Sequence, residues 1–256
     1  MIKALFFDID GTLVSFKTHT IPQSAVDAIE QAKRQGVKVF ISTGRPKVII
    51  NNLGDLVFDG YITMNGSYCF VGEEVVYTCK IPQEDVQTMV DIVERDNIPC
   101  VFVEENRMNL CNMSEKAEEF QRLLKVPPMP VITTGEVMSK EIYQMSPFIT
   151  VEQERVIMPL LPHCSAERWF PTFTDVVTAN NGKEKGIDEI INYFGFGLEE
   201  TMSFGDGGND MGMLRHAAIG VAMGNANDAV KQAADYVTTS VDDNGIKNAL
   251  QHFHII

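Results

Sequence analysis

An α/β fold, a doubly wound and mainly parallel sheet with an inserted α+β module, is what this sequence predicts on three observations. The apolar run Ala4–Phe7, ended by Asp8, lacks polar alternation, the texture of a strand buried on both faces, and Val37–Ile41 and Thr201–Gly205 read as further strands. The first two flank a helical pattern, and the right-handed crossover of such a β-α-β unit sets its strands parallel. From Gln83 to about Val177 that texture gives way to helices and antiparallel-looking strands, which predicts a separate unit inserted in the first. The expected division is 1–82 with 180–256 as the main domain and 83–179 as the insert.

Taken in order, the first strand stops at Asp8. A helix opens at Ile21-Pro22-Gln23-Ser24, carries Val26, Ile29 and Ala32 at helical spacing and closes at Gly36. The second strand ends in Ser42-Thr43-Gly44-Arg45, with a helix start expected at Pro46. Tyr61–Gly66 reads as a strand and turn, and Tyr68–Phe70 with Glu74–Tyr77 as a hairpin around Gly72. The insert reads as helix (Glu84–Arg95), strands (Cys100–Val103, Met108–Cys111), helix (Ser114–Lys125), a proline cluster (Pro127, Pro128, Pro130) and strands (Ser146–Glu152, Phe173–Thr178). Gly182-Lys183-Glu184-Lys185-Gly186 leads into a helix carrying Ile187, Ile190, Ile191 and Phe194. After Thr201–Gly205, strand, helix and strand at Ala218–Met223, Ala229–Ala234 and Tyr236–Thr239 complete the sheet.

Composition narrows the function. A chain of 256 residues, 45% of them apolar, can bury a substantial core. Thirty-five acidic against 21 basic residues, a net charge of −14, argue against nucleic acid and anionic lipid as partners. Five cysteines with no C-x-x-C read as reduced core thiols, no histidine pattern suits zinc, and His252 and His254 are expected on a loosely held C-terminal end. No basic-plus-apolar leader and no apolar run of about 18 residues is present, so a soluble cytoplasmic protein is expected, with no protein partner implied.

The chemistry is expected at the strand ends. Asp8 and Asp10 project the same way from an extended segment and repel each other unless a divalent cation and a phosphoryl group share the site. Asp8 then suits a nucleophile toward phosphorus and Asp10 a proton donor and acceptor. A solvated strand end is the bland alternative, and a calcium loop fails on spacing. Thr43 and the Gly44 N–H favour a phosphoryl oxygen, and Arg45 is within reach of substrate, an N-cap with a surface arginine being the bland reading. In the lysine loop, Lys185 beside Gly186 is the chosen phosphate cation and Lys183 the alternative, a solvated turn being the bland reading of both. Asp206 and Asp210, with Asn209 between them, offer hard oxygen donors and an amide, which suits Mg²⁺. In the insert, Trp169, Phe170, His163 and Glu141 are candidates for substrate contact, core or ordinary surface being the bland reading of each.

Four stretches together, FFDIDGTL at Phe6–Leu13, STGR at Ser42–Arg45, Lys185-Gly186 and GDGGNDMGML at Gly205–Leu214, resemble the haloacid dehalogenase-like phosphatases. They are most similar to the Cof-type sugar phosphatase group with a large (C2-type) cap. The segment Gly220–Thr238 is similar to that group's C-terminal signature. The resemblance implies Asp8 as nucleophile and Mg²⁺ ligand, and Asp10 as acid/base touching Mg²⁺ through its backbone carbonyl. It further implies Thr43 and Lys185 as phosphate ligands, Asp206 as a Mg²⁺ ligand, and Asn209 and Asp210 as organisers of that shell. The insert then corresponds to a cap that closes over the site. A phosphatase of small phosphorylated metabolites, foremost sugar phosphates, is the expected function. A phosphomutase or a non-catalytic phosphometabolite binder are the alternatives, and a P-type pump is excluded by Asp10 and the lack of spans.

Overall fold

The computed structural model describes residues 1–124 and 128–256. Its first half follows the expected β-α-β order: β1 (Ala4–Phe7), α1 (Gln23–Arg34), β2 (Lys38–Ser42), β3 (Gly60–Thr63), β4 (Tyr68–Val71) and β5 (Glu74–Thr78). The chain then leaves through α2 (Gln83–Asp96), β6 (Cys100–Val103), β7 (Met108–Cys111), α3 (Glu115–Leu124), α4 (Thr134–Val137), β8 (Gln144–Pro147), α5 (Val151–Ile157), β9 (Cys164–Phe170) and β10 (Phe173–Thr178). It returns with α6 (Lys183–Phe194), β11 (Thr201–Gly205), α7 (Met211–His216), β12 (Ile219–Ala222), α8 (Asp228–Ala233), β13 (Tyr236–Val237) and α9 (Gly245–His252).

These strands form two sheets. The larger has the order β13-β12-β11-β1-β2-β3-β4-β5, parallel from β13 to β3 and antiparallel at β4 and β5. The smaller, β7-β6-β8-β10-β9, is antiparallel throughout. Alternation along β1 explains the layers: Leu5 and Phe7 pack toward α1 and α9, and Ala4 and Phe6 toward α6. With both faces covered, β1 has no polar residue until it ends, and β2 and β11 flank it so that their carboxyl ends converge with its own.

Four local expectations are corrected. The segment expected to be strand from Ser146 to Glu152 ends as β8 at Pro147 and turns helical, because Thr150 and Gln153 form a capping box that starts α5. Pro46 starts only a single 3-10 turn, Lys47–Ile49. Strand β9 was not expected at all. The C-terminal end is not loosely held: α9 packs on α1, the His252 ring stacks on Tyr236 with centroids 4.3 Å apart, and Ile255 is buried. Of the cysteines, all unpaired, Cys69, Cys100 and Cys111 are buried, whereas Cys79 and Cys164 are only partly so.

The chain's return from the smaller sheet is stapled to the larger. The Asn181 amide donates to Ser67 Oγ at 3.2 Å and accepts from the Tyr77 hydroxyl at 3.2 Å. Gly66 stands so close to Gly182 that a Cβ there would lie 2.1 Å from the Gly182 carbonyl oxygen. No helix among the described residues is long and apolar enough to cross a membrane.

Candidate active site

Asp8, one residue past the end of β1, is 7% exposed and accepts a 2.7 Å bond from Lys183 Nζ. The same ammonium donates to Asp210 Oδ1 at 2.6 Å, and the other Asp210 oxygen accepts the backbone N–H groups of Asp206 and Gly207. Asp210 therefore ties the loop after β11 to the lysine. Asp206 is oriented by Thr12, whose hydroxyl donates at 2.9 Å, and by the Asn225 amide at 3.1 Å. Oxygens of Asp8, Asp206 and Asp210 lie within 4.8 Å of one another.

Such a cluster is strained as a set of anions. Burial, and then the nearby Asp210, hold the Asp8 carboxyl well above the usual carboxylate range, and Lys183 offsets this only in part. Burial and Asp210 likewise push Asp206 up to about 7. Burial alone would depress the Lys183 ammonium, but Asp210 and Asp8 outweigh it and raise its pKa. An all-oxygen, buried set of repelling donors fits a hard divalent cation. The carboxylate of Asp10 is not one of the three.

The structure corrects the lysine assignment. Lys185 is not in this site: it is partly exposed, pairs with Glu189 one turn along α6, and lies over the Tyr77 ring. Lys183 is the first residue of α6, and its side chain is fully buried. Two residues are about 200° of helix rotation, so only one of the two lysines can face the strand ends. The signal was available, since Lys183 shares the i, i+4, i+7 face of the buried Ile187 and Ile190 and Lys185 does not.

A cavity of about 400 Å³ opens over these groups, lined by Asp8, Asp10, Thr43, Gly44, Arg45, Asp206 and Asn209, with Arg168 from β9 on its far side. Asn225 and Asn227 complete the rim. A neighbouring cavity of about 780 Å³, between α1 and residues 51–56, is larger and shares Arg45 but reaches none of the acids. The smaller one is the candidate site, because charged groups converge there at the carboxyl ends of parallel strands.

Arg45 is occupied otherwise than expected. Its Nε and Nη2 donate to the two oxygens of Asp10 at 2.6 and 2.7 Å, and Nη1 donates to the Ile49 carbonyl at 3.0 Å. Thr43 is buried, and its Oγ1 accepts the Arg45 backbone N–H at 3.1 Å. Asn209 donates to Asn65 Oδ1 at 2.9 Å, and a Cβ on Gly44 would lie 3.1 Å from the Asn65 amide, so Asn65 packs between these two loops. Asn65 and Asn225 were missed: Asn65 is a lone asparagine in a turn, and the Gly220–Thr238 signature that contains Asn225 does not say which of its residues reaches the site.

In the smaller sheet, Arg168 grips Glu154 and the carbonyls of Ile149, Phe170, Pro171 and Phe173. Burial, reinforced by Glu184, pushes the neighbouring Glu167 carboxyl up to about 7. His163 is largely exposed beside Asp85, Glu141 pairs with Lys80, and Phe170 stacks on Phe173, so none of these three lines the cavity. The side chain of Trp169 lies outside the described residues.

Comparison with known proteins agrees with this geometry. A family model described as haloacid dehalogenase-like hydrolase matches residues 5–250, and the chain belongs to that family. Within it the chain is a phosphatase. The solved structure of BT4131, described as a sugar phosphatase of haloacid dehalogenase subclass IIB, is 56% identical with a TM-score of 0.96, covering 99% of this chain and 100% of that one. BT1666 from Bacteroides thetaiotaomicron is 35% identical with a TM-score of 0.93, over 100% of this chain and 96% of its own. The 5-amino-6-(5-phospho-D-ribitylamino)uracil phosphatase YcsE of Bacillus subtilis (strain 168) is 28% identical over 98% of this chain and 96% of its own.

Proposed function

We propose that this phosphatase is Mg²⁺-dependent, acts on small phosphorylated metabolites, foremost sugar phosphates, and works through an aspartyl-phosphate on Asp8. The observation that carries the reading is a buried carboxylate at the end of the central strand, held by Lys183 at 2.7 Å and adjoining two further acids. Asp8 and Asp206 are the ligands proposed for the cation. Asp210, whose oxygens already accept from Lys183 and two backbone N–H groups, holds that shell in place. A bound Mg²⁺ would offset the carboxylate repulsion and the charge of the phosphoryl group.

The chain's own groups supply the rest. An Asp8 oxygen attacks phosphorus while Asp10 gives a proton to the departing alkoxide. Asp10 then takes a proton from the water that hydrolyses the aspartyl ester. Lys183 keeps Asp8 aimed and its positive charge near the transferring group, the role expected of Lys185 from the sequence. Thr43, the Gly44 N–H and Asn209 are the phosphate contacts. Residues 83–179 act as the cap, excluding water during transfer and presenting Arg168 to the leaving group's side of the cavity. The subclass of BT4131, at twice the identity of YcsE, favours sugar phosphates over 5-amino-6-(5-phospho-D-ribitylamino)uracil.

A screen of phosphorylated sugars for released phosphate, with and without EDTA, tests the reading. Phosphate release that needs Mg²⁺ and disappears in Asp8→Asn is expected. Activity surviving in Asp8→Asn would refute it, and glucose 1,6-bisphosphate-dependent isomerisation without net phosphate release would identify a mutase instead.

A further inference from the structure

We propose that Arg45 is a positioning residue for Asp10: its guanidinium fork holds the acid/base carboxylate at the edge of the cavity and out of the three-acid cluster. The proposal rests on the function given above. Asp10 lies in the turn beyond β1, and its side chain is 24% exposed, so nothing in the strand fixes its rotamer. Arg45 is 8% exposed and meets both Asp10 oxygens, at 2.6 and 2.7 Å, across 35 residues of sequence. A third donor of the same group is anchored on the Ile49 carbonyl, and the Arg45 backbone N–H on Thr43 Oγ1. The arginine is thus fixed at its root and at its tip by neighbouring protein groups. This is the planar two-point recognition of a carboxylate that a lysine cannot reproduce.

The arrangement answers a problem set by the sequence. Two carboxylates one residue apart beside a cation site would both be drawn to the cation, and only one is to be the nucleophile. Oxygens of Asp8, Asp206 and Asp210 converge, whereas those of Asp10 are taken by Arg45. In the first half-reaction an Asp8 oxygen bonds to phosphorus, the phosphorus–oxygen bond to the leaving group breaks, and a proton carried on an Asp10 lone pair that the guanidinium does not occupy goes to that departing oxygen. In the second, a water oxygen bonds to phosphorus as Asp10 takes its proton, the bond to Asp8 breaks, and inorganic phosphate leaves. Both transfers need the Asp10 carboxyl within hydrogen-bond reach of the reacting oxygen, and displacement by an ångström costs about 100-fold.

A double-mutant cycle on kcat/KM with p-nitrophenyl phosphate and Mg²⁺ tests the proposal: wild type, Arg45→Gln, Asp10→Asn and the double variant, with thermal melts to exclude misfolding. Arg45→Gln is expected to lose about 10- to 100-fold, mainly in kcat. The double variant is expected to match Asp10→Asn within about twofold, because the arginine has then lost the group through which it acts. Arg45→Lys is expected to recover only part of the loss. Equal fold-losses from Arg45→Gln in both backgrounds, or a loss confined to KM, would overturn the proposal in favour of a direct substrate contact, and full activity in Arg45→Lys would overturn the fork. Asp8→Asn in the same series separates the levels: activity surviving there overturns the underlying function as well, whereas additive losses with an inactive Asp8→Asn overturn only the role of Arg45.

Discussion

Replacing Lys183 and Lys185 in turn by methionine gives the sharpest test of the site, because the two residues are two positions apart and the structure assigns them opposite fates. Lys183→Met removes a side chain with no exposed surface and leaves Asp8 and Asp210 without their shared partner, 2.7 and 2.6 Å away. Breaking one partner of a buried ion pair costs about 3–5 kcal/mol, and for a chain of this size each kcal/mol is worth roughly 2–4 °C in Tm. A fall of roughly 10 °C is expected on that basis. Loss of a fixed donor at the reacting group adds about a 100- to 1000-fold loss of kcat. Lys185→Met removes a partly exposed i, i+4 pair worth about 0.3–0.5 kcal/mol and is expected to change kcat less than about twofold.

The folded-state pKa of Lys183 is raised, so its contribution is complete at any pH below the ordinary lysine range and does not vary from pH 6 to 9. The folded-state pKa of Asp8 is also raised, and without Lys183 nothing lowers it. The stability deficit of Lys183→Met, measured in EDTA, should therefore shrink as pH falls toward 5, where protonation relieves the stranded carboxyl. Scanning calorimetry and steady-state phosphate release on both variants make the measurement. An inactive Lys185→Met beside an active Lys183→Met would refute the reasoning.

Three further predictions concern particular positions. Gly11 has φ +84°, and a Cβ there would stand 2.2 Å from Asp206 Oδ2, so Gly11→Ala should raise the Mg²⁺ concentration needed for half-maximal activity by about tenfold or more. Gly36→Ala, at φ +88° with open space around it, should cost about 1 kcal/mol of stability and leave activity unchanged; equal behaviour of the two would show that backbone strain alone is at work. For Glu167, whose folded-state carboxyl sits near 7 against an ordinary value near 4.5, the folded state binds more protons than the unfolded between those limits, so stability falls as pH rises through that window. The effect is on the order of 3 kcal/mol at its upper limit, and urea midpoints should show Glu167→Gln more stable than wild type at pH 8 and equal to it at pH 4. Indistinguishable midpoints at both values would refute the assignment.

What the sequence disclosed was whatever depends on neighbours in the chain. The apolar run into Asp8 announces a strand end because burial on both faces leaves β1 no polar residue until it stops, and the glycine-rich turn after Phe204 announces another through its turn residues. The capping box at Thr150 and Gln153 was equally visible, yet the β-branched Ile149-Thr150-Val151 spanning its start suggested a strand. The lysine turned on helix phase, which the buried isoleucines of α6 record. The pairing of Arg45 with Asp10, and the support of Asp206 by Asn225 and of Asn209 by Asn65, join residues 35, 19 and 144 positions apart through loops. No local pattern encodes such contacts, because they exist only once the sheet order has brought the loops together.

If residues 83–179 swing as the proposed cap, the staple at the return crossing also limits where they can pivot. With Asn181 tied to Ser67 and Tyr77, and Gly182 wedged against Gly66, the backbone is immobilised immediately before Lys183 begins its helix. Any rotation of the smaller sheet must then be absorbed upstream, around Asn180, whose φ of +57° already marks a bend, and in the outgoing connection at residues 79–82. The ammonium under the reacting carboxylate would stay put through every opening and closing, so entry and exit of ligands need not disturb the charge that aims the nucleophile.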